Sequence, residues 1–178
     1  NCSTAVLDRG SLDLELTDCV FKDNERNWGL TYSDKGLVCI DCDWDTPAAR
    51  NRYRAWTDKK GNKRYPSFTN RRHVVVELLD DTGKPVNGAT ISFRSEQEGC
   101  DLLQNGAYTT GTDGRTLGKG QKGALQLTEY IKTTTEIPDE PVVTLFTYTI
   151  VADSRGKRTA IRGVTPDRSW KIISLTLR

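Results

Sequence analysis

The chain of 178 residues has no methionine and a single histidine, His73. It also lacks any run of about 18 apolar residues, so no stretch reads as a membrane-spanning helix, and no apolar leader is visible. A translated chain starts with methionine, so this one is expected to be trimmed or part of something longer. A nucleophilic site built on histidine would have to use His73, which opens an apolar run with nothing beside it in sequence to support that role. The glycines of "GKGQKG" lack the spacing and the following Ser or Thr of a phosphate loop. Acidic residues are plentiful, which leaves a glycoside-hydrolysing carboxylate pair open. No mutually supporting acid, base and nucleophile set emerges, and the chain is expected not to be an enzyme.

Net charge is also scarce, at +2, too small to imply a nucleic-acid partner. Its distribution is uneven. From Arg50 to Arg72 nine basic residues face one acid, Asp58, which leaves 17 basic against 23 acidic residues elsewhere. With 35% apolar and 28% charged residues, the composition fits a folded domain with a modest core.

Five cysteines are present, and four of them (Cys2, Cys19, Cys39, Cys42) fall in the first 42 residues, with Cys100 apart. An odd count leaves at least one thiol outside any intrachain pairing. Their setting is an internal repeat. "SLDLELTDCVFKDN" aligns with "DKGLVCIDCDWDTP" at an offset of 23 residues, placing Leu14 on Leu37, Leu16 on Cys39, Asp18 on Asp41, Cys19 on Cys42 and Phe21 on Trp44. Leu12, Leu14 and Leu16 alternate with Asp13 and Glu15, as on a strand with one buried face. A period near 20 residues built of short strands predicts a stacked β-solenoid, with equivalent residues about 4.8 Å apart.

In that frame each repeated cysteine is a stacked, inward-facing residue. Zinc would need four ligands in compact spacing, and only one C-x-x-C is present. A disulfide between Cys19 and Cys42 is within reach of stacked positions, and buried thiols are the competing reading. Asp41, Asp43 and Asp45 alternate, so on one strand they would share a face and suit calcium, a hard ion that takes oxygen ligands. No glycine-turn calcium loop accompanies them, and a solvated outer face explains them as well.

The wording "LTDCVFKDN…GLVCIDCDW" resembles the final coils of right-handed parallel β-helix proteins of the pectate-lyase-like architecture, over about 45 residues. The resemblance implies a solenoid end, or a fragment of a polysaccharide lyase or hydrolase. Few coils are present, so most of the groove that such enzymes use would be missing.

Next comes "RYRAWTDKKGNKRYPSF", with a turn centred on Asp58–Asn62 and polar–aromatic alternation on both sides. One expectation is a platform for an anionic polysaccharide, with Arg52, Arg54, Trp56, Lys63, Arg64 and Tyr65 in contact. The other is a connector that covers the solenoid end with its rings and keeps its charges in water.

From His73 the pattern is that of strands punctuated by Gly, Asp and Pro turns, about seven in all, which predicts an antiparallel β-sandwich. "VVTLFTYTIVAD" reads as one strand. "TAIRGVT", with Arg162 between Ala160 and Val164, suggests an edge or a break in register. "WKIISLTL" is apolar on both faces, as for a strand covered on two sides. Asp80, Asp81, Gly83, Pro85, Val86, Gly88 and Ala89, followed by Thr112, Asp113 and Gly114, resemble the carboxypeptidase-regulatory-like, transthyretin-like sandwich over roughly the last 105 residues. A polar insertion carrying Cys100 and the stretch "LGKGQKGA" depart from that pattern. The resemblance implies a non-catalytic accessory module.

The expected organisation is therefore all-β: solenoid-like terminal coils at 1–49, a basic aromatic connector at 50–72, and an Ig-like, transthyretin-like sandwich at 73–178. The expected role is a structural module at the cell surface or outside the cell, packing into a filament or layer with copies of itself or with the rest of a larger parent protein. Binding of an anionic polysaccharide is the alternative. No nucleic acid, no membrane insertion and no cofactor other than calcium are expected.

Overall fold

The computed structural model describes residues 4–8, 14–31, 36–45, 51–97, 108–119, 121–133 and 142–178. Among these residues the regular structure is strand throughout, with no helix. The protein is all-β, as its alternating apolar pattern predicts. Two compact units divide the chain: Asn1–Arg71 with Tyr130–Leu145, and Arg72–Glu129 with Phe146–Arg178. Residues 51–71, most of the basic stretch, fall in the same unit as the repeat. Cys2, Cys100 and the polar insertion around Cys100 lie outside the described residues.

In the first unit, strand β1 is Val6–Asp8, β2 Leu14–Thr17, β3 Val20–Phe21, β4 Trp28–Thr31, β5 Leu37–Ile40, β6 Asp43–Trp44 and β7 Arg52–Arg54. They pair in parallel ladders. β2 lies beside β5 with Leu14 opposite Leu37 and Leu16 opposite Cys39, and β3 beside β6 with Phe21 opposite Trp44. The offset of 23 residues in the sequence is the register of these two ladders. β1 lies beside β4 with Val6 opposite Trp28. A third layer follows, in which β7 extends β4 and the start of β10 (Ser67–Asp80) extends β5, with Phe68 opposite Leu37.

The corner that turns each layer explains why aspartate repeats there. Asp18 and Asp41 precede the paired cysteines and both hold positive φ, 53° and 52°. That left-handed conformation is costly for most side chains, and Asp tolerates it better than β-branched residues. Each corner amide bonds to the next layer: Asp18 N to Ile40 O at 3.0 Å and Asp41 N to Arg71 O at 3.0 Å.

The core of this unit is aromatic. Trp28, fully buried, stacks on Phe68 with centroids 4.4 Å apart and meets Phe21 and Trp44 edge-on at 6.0 and 5.3 Å. Leu30, Leu37, Cys39 and Cys42 complete the buried cluster. Aromatic pairs of this kind add about 0.5–1.5 kcal/mol each beyond the area they bury. Buried Asn51 sits beneath Asn27, and its Oδ1 accepts from Asn27 N at 2.9 Å and from Trp28 N at 3.3 Å. Two backbone donors that the core would otherwise strand are thereby satisfied.

The second unit holds a four-stranded antiparallel sheet. Its strands are β11 (Thr90–Ser95), β12 (Tyr108–Thr109), β15 (Tyr148–Ser154) and β16 (Lys157–Val164), in the order β12-β11-β15-β16. Tyr148, Ile150 and Ala152 of β15 point into the core, as do Val74, Val76 and Leu78 of β10. The hydroxyl of Tyr148 accepts from Thr128 N and donates to Thr128 O, both at 3.0 Å. At the turn "DDTGKP", Asp80 Oδ1 accepts from Thr82 N and Lys84 N at 2.9 Å, and Gly83 takes the left-handed φ of 81° that the turn requires.

Three expectations for this region change. "VVTLFTYTIVAD" is two strands: β14 (Val142–Leu145) pairs with the end of β13 (Gln126–Thr133), whereas β15 pairs with β11. The break falls where Phe146 N donates to Glu129 O and Thr147 N to Gln97 Oε1. β17 (Lys171–Leu177) buries Ile173, Leu175 and Leu177 but exposes Ile172, Ser174 and Thr176, so it is covered on one face only. It also runs parallel to β10: Trp170 N bonds to His73 O, and the pairing starts midway along β10 with Val74 opposite Lys171. The register break foreseen around Arg162 is present: β16 is an edge strand whose pairing with β15 shifts between Tyr148 and Ile150, and Gly163 holds φ 67°.

Candidate functional site

The basic stretch folds as a hairpin. β8 (Trp56–Thr57) pairs antiparallel with β9 (Lys63–Arg64), Trp56 opposite Arg64. Asp58 closes it, accepting from Lys60 N and Asn62 N at 2.9 Å and from Arg64 Nε and Nη2 at 3.1 and 3.0 Å. Hydrogen bonds from the Asn62 backbone and then its side-chain amide lead in holding the Asp58 carboxyl down to about 2. The guanidinium of Arg64 is therefore engaged within the hairpin. Trp56 and Tyr65 are half-buried, while Lys63 and Arg64 are exposed. Arg52 and Arg54 stand apart from the hairpin, in β7 of the parallel ladder, and the side chain of Arg52 lies outside the described residues. Of the six residues read as a glycan platform, the hairpin strands bring together Trp56, Lys63 and Arg64.

The three aspartates do not share a face. Asp41 is buried at the left-handed corner, whereas Asp43 and Asp45 are exposed beyond it, and Asp45 Oδ2 accepts from Asp23 N at 3.1 Å. Alternation fails because the corner interrupts the strand at Asp41. Among the described residues no three His, Cys, Asp or Glu side chains gather as a metal site.

Cys19 and Cys42 do lie one above the other. Both are thiols, as is Cys39, and Cys19 N donates to Cys42 Sγ at 3.4 Å. The single S–H of Cys42 is within reach of two acceptors, Leu16 O at 3.3 Å and Ile40 O at 3.4 Å. A hydrogen bond from Cys39, opposed by burial, leads in lowering the Cys42 thiol to about 6, while burial raises that of Cys19. His73, the lone histidine, is half-buried and stacked on Trp170 at 4.5 Å, with a ring nitrogen 3.0 Å from Gln126 Nε2.

The feature that stands out in the first unit is its outermost layer. β1 and β2 are end strands of their ladders, and among the described residues nothing pairs the outer edge of β1, β2 or β3. The same inward positions are buried in one layer and half-buried in the next. Trp28, Leu37, Cys39 and Cys42 are buried; Val6, Leu14, Leu16 and Cys19, their counterparts in the outer layer, are only partly covered. Leu7 and Val20 are exposed on the same outer strands. This asymmetry was hidden in sequence, because both layers carry apolar residues or cysteine at these positions.

The protein is all-β, and among the described residues the outer edge of its first parallel layer has no pairing strand. No protein-family model, no curated protein and no solved structure matches the chain.

Proposed function

We propose that the chain is a non-catalytic structural module that assembles with protein by accepting a further β-layer on its open first layer. In this reading the first unit is the end of a parallel β-solenoid, and the second is a transthyretin-like sandwich serving as an accessory module at the cell surface. The observation that carries the reading is the partial exposure of Val6, Leu14, Leu16 and Cys19, whose counterparts one layer on are buried. An unpaired strand edge with half-covered apolar side chains is a template for strand addition. A layer of the same kind would bury those side chains at about 25 cal/mol per Å² of apolar area removed from water. If the partner is a second copy, the contact is head-to-tail and generates a filament rather than a closed dimer.

Native mass spectrometry across a concentration series tests this. Growing oligomers are expected for the unaltered chain, and a loss of assembly for Leu16→Lys, which sets a charge at the open edge. A chain that stays monomeric and folded at high concentration contradicts self-assembly. Leu16→Lys that assembles like the unaltered chain contradicts the assignment of the edge. Leu16 packs against the buried cluster, so Leu16→Lys is expected to lose some stability, and assembly is compared under conditions where both chains are folded.

A further inference from the structure

The outward face of the four-stranded sheet carries a row of arginines. Arg94 on β11 and Arg158 and Arg162 on β16 border one cleft of about 590 Å³, with Ser92 and Ala160 between them. A second cleft of about 460 Å³ shares Arg158 and Ala160, passes Thr176 of β17 and ends at Arg178. Among the described residues no acidic side chain lines either cleft. Alternation places these arginines outward, because Tyr148, Ile150 and Ala152 of the intervening strand point into the core.

Three carboxylates lie nearby. Glu77 accepts from the hydroxyl of Ser174, which lines the second cleft, at 2.9 Å and is paired with Arg115 at 2.6 Å. Asp153 approaches Arg158 Nε at 3.7 Å, long for a charge-assisted hydrogen bond. Glu96 accepts from Gly163 N at 3.0 Å and from Thr149 Oγ1 at 2.9 Å, and Arg162 adds its field. With Glu77 balanced by Arg115, four guanidinium groups against the other two carboxylates leave the strip positive. Among the described residues no hydrogen bond or ion pair engages the guanidinium of Arg94, Arg162 or Arg178. Five donors on each of these side chains are therefore available to a ligand.

Spacing selects the kind of anion. Arg94 and Arg162 stand two strands apart, about 10 Å, and Arg158 and Arg162 four residues apart along one strand, about 13 Å. One compact oxoanion would not meet all of them at their Cα spacing, whereas a chain bearing an anionic group on each unit would. Bases of a single-stranded nucleic acid bind by stacking on rings. Phe93, the ring at this cleft, is committed to Tyr108 and Tyr148 at 5.9 and 6.3 Å. Hydroxyls of Ser92 and Thr176 offer hydrogen bonds that sugars use.

We propose that the arginine strip on the outward face of β11 and β16, continuing to Arg178, binds an anionic polysaccharide through its carboxylate or sulfate groups. The site is distinct from the open layer of the first unit and does not depend on the assembly reading. It also differs from the hairpin on which the sequence placed such binding.

Titration calorimetry with polygalacturonate, heparin, neutral dextran and single-stranded DNA tests the proposal, at low and high salt. Polygalacturonate or heparin is expected to bind, more weakly as salt rises, with dextran inert. The stronger of the two identifies carboxylate or sulfate as the preferred group. Arg94→Glu with Arg162→Glu is expected to weaken binding about tenfold or more, since charge-assisted contacts to two guanidiniums are lost. Both residues are exposed on a sheet face, and the variant is expected to keep the unaltered unfolding midpoint. Lys63→Glu is expected to leave binding unchanged. Absence of binding at low salt, DNA binding as tightly as the polysaccharides, or loss of binding in Lys63→Glu rather than in the double variant would each overturn the proposal.

Discussion

Replacing Asn51 with alanine is expected to destabilise the first unit by about 2–4 kcal/mol. Asn51 is 7% exposed and stands under Asn27 and Trp28, which are 0% and 1% exposed. Its Oδ1 is the acceptor for both of their amides, one at 2.9 Å and one at 3.3 Å. Truncation leaves two buried N–H groups without that oxygen, and each orphaned donor costs about 1–3 kcal/mol, the shorter bond more than the longer. Urea unfolding gives the magnitude, and hydrogen exchange at Asn27 and Trp28 gives the cause, since both amides should exchange faster in the variant. Asn51→Leu separates volume from hydrogen bonding: it fills the space but supplies no acceptor, so it should not recover the loss. Asn51→Ala within about 0.5 kcal/mol of the unaltered chain would refute the reasoning, as would recovery by leucine.

Tyr148→Phe removes a buried hydroxyl bonded to both backbone groups of Thr128, and should cost about 1–3 kcal/mol in chemical unfolding; unaltered stability would contradict it. Hydrogen bonds from Arg115 and then Ser174 lower the Glu77 carboxyl. Its folded value lies below the unfolded one, so its contribution is present above the unfolded pKa of about 4.3 and is lost as pH falls through the folded value. Glu77→Gln should therefore flatten the acid limb of stability against pH, and parallel curves would count against the pairing. Oxidation with a low-molecular-weight disulfide should join Cys19 to Cys42: two thiols of the protein are oxidised, the reagent is reduced to two thiols, and the mass falls by about 2 Da. Peptide mapping should find that link and lose it in Cys42→Ser; its absence from the oxidised chain would contradict the stacking.

Much of the first unit was legible because its two outer layers repeat residue by residue. Leu14 on Leu37 and Phe21 on Trp44 in sequence became strand partners in space. The third layer was not legible, since Arg52–Arg54 and Phe68–Arg71 carry neither the cysteine nor the leucines of the repeat; Arg52–Arg54 keeps the offset of 23 from Gly29–Thr31, but Phe68–Arg71 follows Leu37–Ile40 at an offset of 31. Asp41 was misplaced because alternation assumes a continuous strand, and a left-handed corner breaks it. The split after Leu145 was invisible for a similar reason: "VVTLFTYTIVAD" alternates without a glycine or proline, and side-chain bonds from Gln97 to Thr147 help fix where it breaks. The open layer and the arginine strip depend on which edges lack partners and which strands neighbour one another, and a linear pattern carries neither.

The most direct test of assembly through the first layer is hydrogen exchange of the Leu14–Thr17 amides, measured dilute and at assembling concentration. Strand addition on the open layer predicts that these amides become protected as concentration rises, while those of buried β5 stay unchanged. Assembly that leaves Leu14–Thr17 exchanging as fast as in the dilute chain would contradict the account, and protection appearing instead along β14 or β16 would move the contact to another edge.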